Sequence, residues 1–148
     1  MDSSEEKALK DIDEFGCHIL HVMEGDDQPN FSYSIGIEKT SQQPEIIVTG
    51  IDRDAAHDII NEYNSLVRSG REFSKDTLYD DFLEGYESQF KLVSKTYYKE
   101  YFGWANWLYD GDEYRVFHFV FPNKSGMWPW EENAPNEYTW FLPKLYEN

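Results

Sequence analysis

The stretch EYRVFHFVF, residues 113–121, is the strongest strand signal in the chain. It consists largely of β-branched and aromatic residues, which pack well on a pleated surface. From residue 116 onward apolar side chains fall on both faces, in the alternating series Val116-His118-Val120 and Phe117-Phe119-Phe121. Apolar residues on both faces are typical of strands whose two faces are both buried. The pattern therefore predicts a strand in the middle of a sheet.

Upstream of this stretch, three shorter runs are also typical of strands. Residues 31–37 (FSYSIGI) alternate between larger apolar and small residues, the period of a strand with one buried face. Residues 17–23 (CHILHVM) precede them across a polar turn, so we expect a hairpin. Residues 45–49 (EIIVT) follow as a third strand, closed by Gly50. A further strand is predicted at residues 89–94.

Helical spacing marks the remaining elements. Ser3 or Ser4 can cap a first helix that Gly16 ends. Asp52 or Asp54 can cap a second helix, whose apolar stripe must pack on the sheet. That stripe leaves a solvent face formed by His57, Asn61, Asn64 and Arg68. Residues 95–109 are also helical in pattern, although Gly103 weakens the signal. Residues 71–89 show no clear period.

Together these elements predict an α+β fold. We expect a single domain built on a largely antiparallel β-sheet, with one or more helices packed on one face. No linker or repeat divides the chain. The predicted organisation is an N-terminal helix at residues 1–13, followed by one globular domain at residues 14–148.

The chain is strongly acidic, with 29 Asp and Glu against 13 Lys and Arg and a net charge of -16. Phosphate backbones would be repelled by this charge, so nucleic acid is excluded as a partner. No apolar run is long enough to span a membrane, and the N-terminus is acidic where a secretory signal would be basic. We therefore expect a cytoplasmic protein, without a membrane partner, that attracts a basic protein partner.

The candidate metal-binding and nucleophilic residues do not form a recognisable site. Cys17 is the single cysteine, which excludes an internal disulfide and a cysteine zinc site. His18 and His21 are three apart on a strand and so point to opposite faces. His118 lies in the most apolar strand, where a core histidine bonded to a backbone carbonyl is favoured over a catalytic base. We expect no catalytic residue, no cofactor and no metal ion.

Three ordered motifs resemble a known family. They are FSYSIGI preceded by Pro29, QPEIIVTGI at residues 43–51, and FPNKSGMWPWE at residues 121–131. Together, over roughly residues 14–145, they resemble the bacterial domain-of-unknown-function family 4262. The chain departs from that family's pattern at Ser34, where Thr is usual, at Gln43, where His is usual, and at Asn123, where Asp is common. The resemblance implies no established activity. It implies a likeness to small bacterial immunity proteins encoded beside toxins.

Carboxylates beside an exposed tryptophan suggest a protein-binding surface. The predicted partner-binding residues lie in polar loops: Asp26, Asp27, Asp80, Asp81, Trp130, Glu131 and Glu132. The Trp128-Trp130 loop has a second interpretation, in which its rings fold back as a lid on the core.

Two functions remain open at this stage. The first is an acidic binding protein, an immunity protein that neutralises a cognate toxin enzyme by covering it. The alternative is an enzyme or small-ligand sensor with a pocket near His118 and the Trp128-Trp130 loop.

Overall fold

A computed structural model describes residues 1–147 of the chain. Its sheet has six strands: β1 (His18–Val22), β2 (Phe31–Ile35), β3 (Glu45–Thr49), β4 (Tyr79–Leu83), β5 (Tyr86–Leu92) and β6 (Val116–Val120). Its helices are α1 (Ser3–Phe15), α2 (Ile37–Ser41), α3 (Arg53–Arg68), α4 (Tyr98–Tyr101), α5 (Gly103–Tyr109) and α6 (Asn136–Thr139), with a 3-10 turn at Lys95–Tyr97. The predicted α+β class is confirmed.

The strand order is β1-β2-β3-β6-β5-β4, so β6 lies in the middle as predicted. All neighbouring strands are antiparallel except β3 and β6, which run parallel with Ile47 opposite His118. The predicted hairpin is the β1–β2 pair, with His18 opposite Ile35. Strands β1 and β4 form the two edges of the sheet.

Helices cover both faces of the sheet. One core cluster joins α1, α4 and α5 to one face through Tyr33, Ile35 and Ile47. The other joins α3 to the opposite face through Ile46 and Val48. The prediction named a single covered face. The second layer follows from the central strands, which carry apolar residues on both sides and must bury both.

Several boundaries differ from the sequence predictions. Strand β2 ends at Ile35, because Gly36 turns the chain with φ +108° into α2. Helix α1 is capped by Asp2 rather than by a serine. Asn64, predicted on the solvent face of α3, is buried because its amide donates to the Phe15 carbonyl at 2.9 Å. Residues 71–89 contain β4, which the sequence did not indicate.

Helix α1 contributes to the core through Ala8 and Ile12, both buried. At the end of α1, the Phe15 carbonyl accepts hydrogen bonds from the side chains of Asn64 and Arg68 of α3. Within residues 1–147, none of the helices combines the length and the apolar character needed to cross a lipid bilayer.

Candidate functional site

The predicted partner-binding residues lie in three separate places. Asp26 and Asp27 occupy the β1–β2 loop at one edge of the sheet, and Asp80 and Asp81 lie in β4 at the other edge. Four strands separate these edges, a span of about 24 Å at the usual strand spacing. Trp130, Glu131 and Glu132 belong to the C-terminal segment, residues 122–147. The six acids therefore do not form one cluster.

The two acids of β4 differ in their surroundings. Asp81 accepts from both terminal nitrogens of Arg71, at 3.1 and 3.2 Å. Asp80 is exposed and has no ion-pair partner among residues 1–147. A partner would meet the full charge of Asp80 and a largely compensated charge at Asp81.

Trp130 is held between two neighbours. Trp128 stacks on its ring at 5.2 Å between centroids and an interplanar angle of 8°. The Lys91 ammonium lies 4.4 Å from the ring centroid, in the range of a cation–π interaction, and Asp76 accepts from it at 2.8 Å. Trp130 still leaves 43% of its surface exposed. The loop is thus partly a lid over β5 and partly an exposed aromatic surface.

The acids of this loop have different structural roles. Glu131 accepts from the backbone N–H of Trp128 at 2.5 Å, which closes the turn that stacks the two indoles. Glu132 is exposed, and no ion pair involves it within residues 1–147. Glu131 therefore shapes the loop, while Glu132 contributes charge only.

Two further exposed aromatic residues, Trp140 and Phe141, follow in the C-terminal segment, each 38% exposed. The segment is fixed to the sheet at Phe141, whose carbonyl accepts from the Thr49 hydroxyl at 2.7 Å. The Tyr138 hydroxyl donates to the Phe121 carbonyl at 2.6 Å. Trp140 and Phe141 were not among the predicted binding residues, although two adjacent large aromatic residues near the end of the chain were a usable signal.

Glu45 is a fully buried carboxylate that the sequence analysis also missed. It accepts from five donors: the Ser34 and Tyr109 hydroxyls and the backbone N–H groups of Gly36, Ile37 and Glu38. Burial raises the pKa of Glu45 to about 7, and the five donors act in the opposite direction by favouring the charged form. The carboxylate caps α2 from a neighbouring strand. The role of Glu45 is therefore to stabilise the fold.

His118 is also fully buried and has a single polar partner. Its Nε2 lies 2.9 Å from the Thr49 hydroxyl, which already donates to Phe141. His118 therefore donates from Nε2, and its Nδ1 has no hydrogen-bond partner among residues 1–147. A hydroxyl, rather than the expected backbone carbonyl, holds the ring, and no exposed surface remains for a substrate.

The buried imidazole predicts a pH effect on stability. Burial lowers the pKa of His118 to about 3, below the ordinary value near 6.5. The unfolded chain takes up a proton between these values and the folded chain does not, so stability is lost as the pH falls below 6.5. We expect the free energy advantage of wild type over His118→Gln to shrink by about 2 kcal/mol between pH 6.5 and 5.

Urea unfolding of both proteins at several pH values measures this difference. If the difference in unfolding free energy between wild type and His118→Gln stays constant between pH 6.5 and 5, the assignment of a neutral buried ring is wrong.

Three histidines line a cleft of about 660 Å³ beside the edge strand β1, together with residues of α1 and α3. His18 Nδ1 lies 2.7 Å from Asp11 of α1, whereas His21 faces α3, so the two point to opposite faces as predicted. Cys17 also borders this cleft, but burial raises the pKa of its thiol to about 12. The thiol is therefore unreactive at neutral pH.

Comparison with known proteins identifies the family. The sequence matches the model of the domain of unknown function DUF4262 over residues 11–135, most of the chain. The chain belongs to the DUF4262 family. No curated protein and no solved structure matches it.

Two of the three positions at which this chain departs from the expected motifs lie at opposite ends of the parallel pair β3 and β6. Gln43 precedes the start of β3, and Asn123 follows the end of the parallel strand β6. The side chains at these positions are therefore too far apart to form one catalytic pair. Asn123 Oδ1 accepts from the backbone N–H groups of Ser125 and Met127, a structural role that an Asp carboxylate could also fill.

Proposed function

We propose that this DUF4262 protein is an acidic cytoplasmic binding protein, an immunity protein that neutralises a basic toxin enzyme by covering it. One observation carries the proposal. Trp130, Trp140 and Phe141 each keep more than a third of their surface exposed within one short segment. Exposed aromatic residues surrounded by charge are typical of binding hot spots.

The charge of the molecule supports a basic partner. Among residues 1–147, only four carboxyl groups have a Lys or Arg partner within 4.0 Å: Asp11, Glu38, Asp76 and Asp81. Glu132 and Glu137 lie in the C-terminal segment without such a partner. Surplus negative charge speeds the approach of a basic protein and repels nucleic acids.

The geometry of the loop also suits an anchor. Trp130 is held by Trp128 on one side and by Lys91 close to its ring, so little side-chain freedom remains to be lost on binding. Asp80 lies in β4, the strand that pairs with β5, and Lys91 belongs to β5. Asp26 and Asp27, at the far edge, are placed to steer approach rather than to contact the same partner.

We expect Trp130→Ala to weaken binding to the product of the adjacent gene by about 2 kcal/mol or more, about thirtyfold in Kd. Neutralising Asp26 and Asp27 should instead slow association with little change in dissociation. Raising the salt from about 0.1 M to about 1 M should slow association of the wild type, because it shortens the screening length from about 10 Å to about 3 Å.

Surface plasmon resonance with the purified partner measures both rates. Trp107→Ala is the matched control, because Trp107 is 36% exposed but lies in α5, outside the C-terminal segment. Association that does not depend on salt, or equal losses for Trp107→Ala and Trp130→Ala, would contradict the proposal.

A second candidate is supported by a cleft beneath the same loop. It measures about 730 Å³ and is lined by Lys75, Lys91, Lys95, Trp130 and Tyr146, among others. Asp76, which pairs with Lys91, and Glu147 also line this cleft, so Lys75 and Lys95 are the lysines there without an ion pair among residues 1–147. Two such lysines beside aromatic rings suit a small anionic ligand, the kind of ligand that the sensor alternative requires near the Trp128-Trp130 loop. His118, being fully buried, does not line this cleft. The partner experiment separates the candidates, because a sensor needs no protein partner.

A further inference from the structure

The histidine cleft beside β1 brings together two imidazoles that are distant in sequence. His21 lies in the edge strand, and His57 lies in the first turns of α3. Their rings are 5.5 Å apart between centroids, and His21 Nε2 lies 3.3 Å from His57 Nδ1. His57 is exposed and His21 half-buried, so the pair is accessible from the cleft.

The two ring nitrogens are within hydrogen-bond distance, and the same separation also suits two ligands of one metal ion. Two nitrogens that each lie about 2.05 Å from a tetrahedral zinc ion are about 3.3 Å apart. A modest rotation of the exposed His57 ring would direct both lone pairs at a shared ion.

The surroundings of His21 prepare its Nε2 for a metal ion. Its Nδ1 lies 2.6 Å from the hydroxyl of buried Ser32, directly opposite in β2. When Nδ1 donates this bond, Nε2 is left with a free lone pair, as in the outer shells of known metal sites.

The charges around the cleft are mixed. Asp54 lies one turn before His57 on the same side of α3, and Asp11 faces the cleft from α1. Arg53 and Lys7 line the same cleft and oppose a cation. Asp11 is shared between Lys7 and His18, which leaves Asp54 as the cleft carboxylate without an ion pair in residues 1–147.

We propose that His21 and His57 form a two-histidine site for a divalent transition-metal ion such as zinc or nickel. No group of three His, Cys, Asp or Glu side chains within residues 1–147 is arranged to hold an ion alone. The remaining coordination positions are therefore open to water or to a ligand from outside the chain, as in metal sites that bind exchangeable ligands. This site is independent of the C-terminal segment and of its proposed partner.

Calorimetric titration of untagged protein with zinc chloride tests the site, in excess magnesium so that surface carboxylates are occupied. We expect one zinc ion per chain. His21→Ala and His57→Ala should each weaken binding by about tenfold or more, since even an outer-shell partner is worth about 10–100-fold in metal affinity. Ser32→Ala should weaken it within that same range.

His18→Ala is the matched control, because His18 lines the same cleft from the opposite face of β1. It should bind zinc like the wild type. Circular dichroism confirms that each variant is folded before titration. Absence of zinc binding by the wild type, unchanged affinity in His21→Ala and His57→Ala, or an equal loss in His18→Ala would each overturn the proposal.

Discussion

Replacing Glu45 by Ala is expected to destabilise the fold by about 3 kcal/mol or more at pH 8. The two hydroxyl donors can turn to other acceptors, but the backbone N–H groups of Gly36, Ile37 and Glu38 cannot. Each buried donor left without a partner costs about 1–3 kcal/mol. For a chain of this length, such a loss lowers the melting temperature by about 10 °C.

Glu45→Gln should lie between wild type and Glu45→Ala, because one amide oxygen can still accept while the amide nitrogen meets donors. Glu87→Gln is the control, since Glu87 is exposed and makes no ion pair in residues 1–147, and its loss should cost under about 0.5 kcal/mol. Urea unfolding of the three variants gives the ranking. A Glu45→Ala protein within about 1 kcal/mol of wild type would refute the role of this carboxylate.

Gly50→Ala is expected to detach the C-terminal segment from the end of β3. Gly50 has φ +71°, and a Cβ there would lie 2.3 Å from Phe141 Cβ and 2.7 Å from the Phe141 carbonyl oxygen. Phe141 must move, which breaks its bond from Thr49. Overpacking of this kind costs about 1–3 kcal/mol, in addition to about 1 kcal/mol for the left-handed backbone.

The chain offers a matched control in Gly85→Ala. Gly85 has a similar φ of +81°, but nothing lies within 4 Å of the added Cβ. Gly85→Ala should therefore lower the stability only by the cost of the left-handed backbone conformation, about 1 kcal/mol. Hydrogen exchange should show faster exchange across residues 136–142 in Gly50→Ala alone, and partner affinity should fall with it. Equal exchange and equal stability in the two variants would show that the contact between Gly50 and Phe141 does not hold the segment.

Much of the fold was predictable because it depends on local pattern. The alternation in residues 113–121 placed β6 in the middle of the sheet, and residues 45–49 match β3 without change. Glycines and caps also set boundaries locally, as at Gly16 after α1 and Asp52 before α3. Strand β4 was missed because Asp80 and Asp81 interrupt any apolar alternation in an edge strand that is half exposed.

The candidate sites were less predictable, because they depend on which distant residues meet. The Trp128-Trp130 loop was recognised from its composition, but nothing local showed that Lys91 would lie against the Trp130 ring. His57 was placed correctly on the solvent face of α3. Its approach to His21 depends on how that helix crosses the edge of the sheet.

By itself, the sequence determined the α+β class, the central strand and the acidic character, since each follows from composition or from periods of a few residues. The resemblance to the family rested on three ordered motifs. Only the tertiary structure decided that the predicted acids lie in three separate places, that Glu45 caps α2, and that His21 meets His57. The physical reason is the same in each case. Backbone pairing and close packing bring side chains from separate elements into contact, and the burial that follows creates sites that no local pattern encodes.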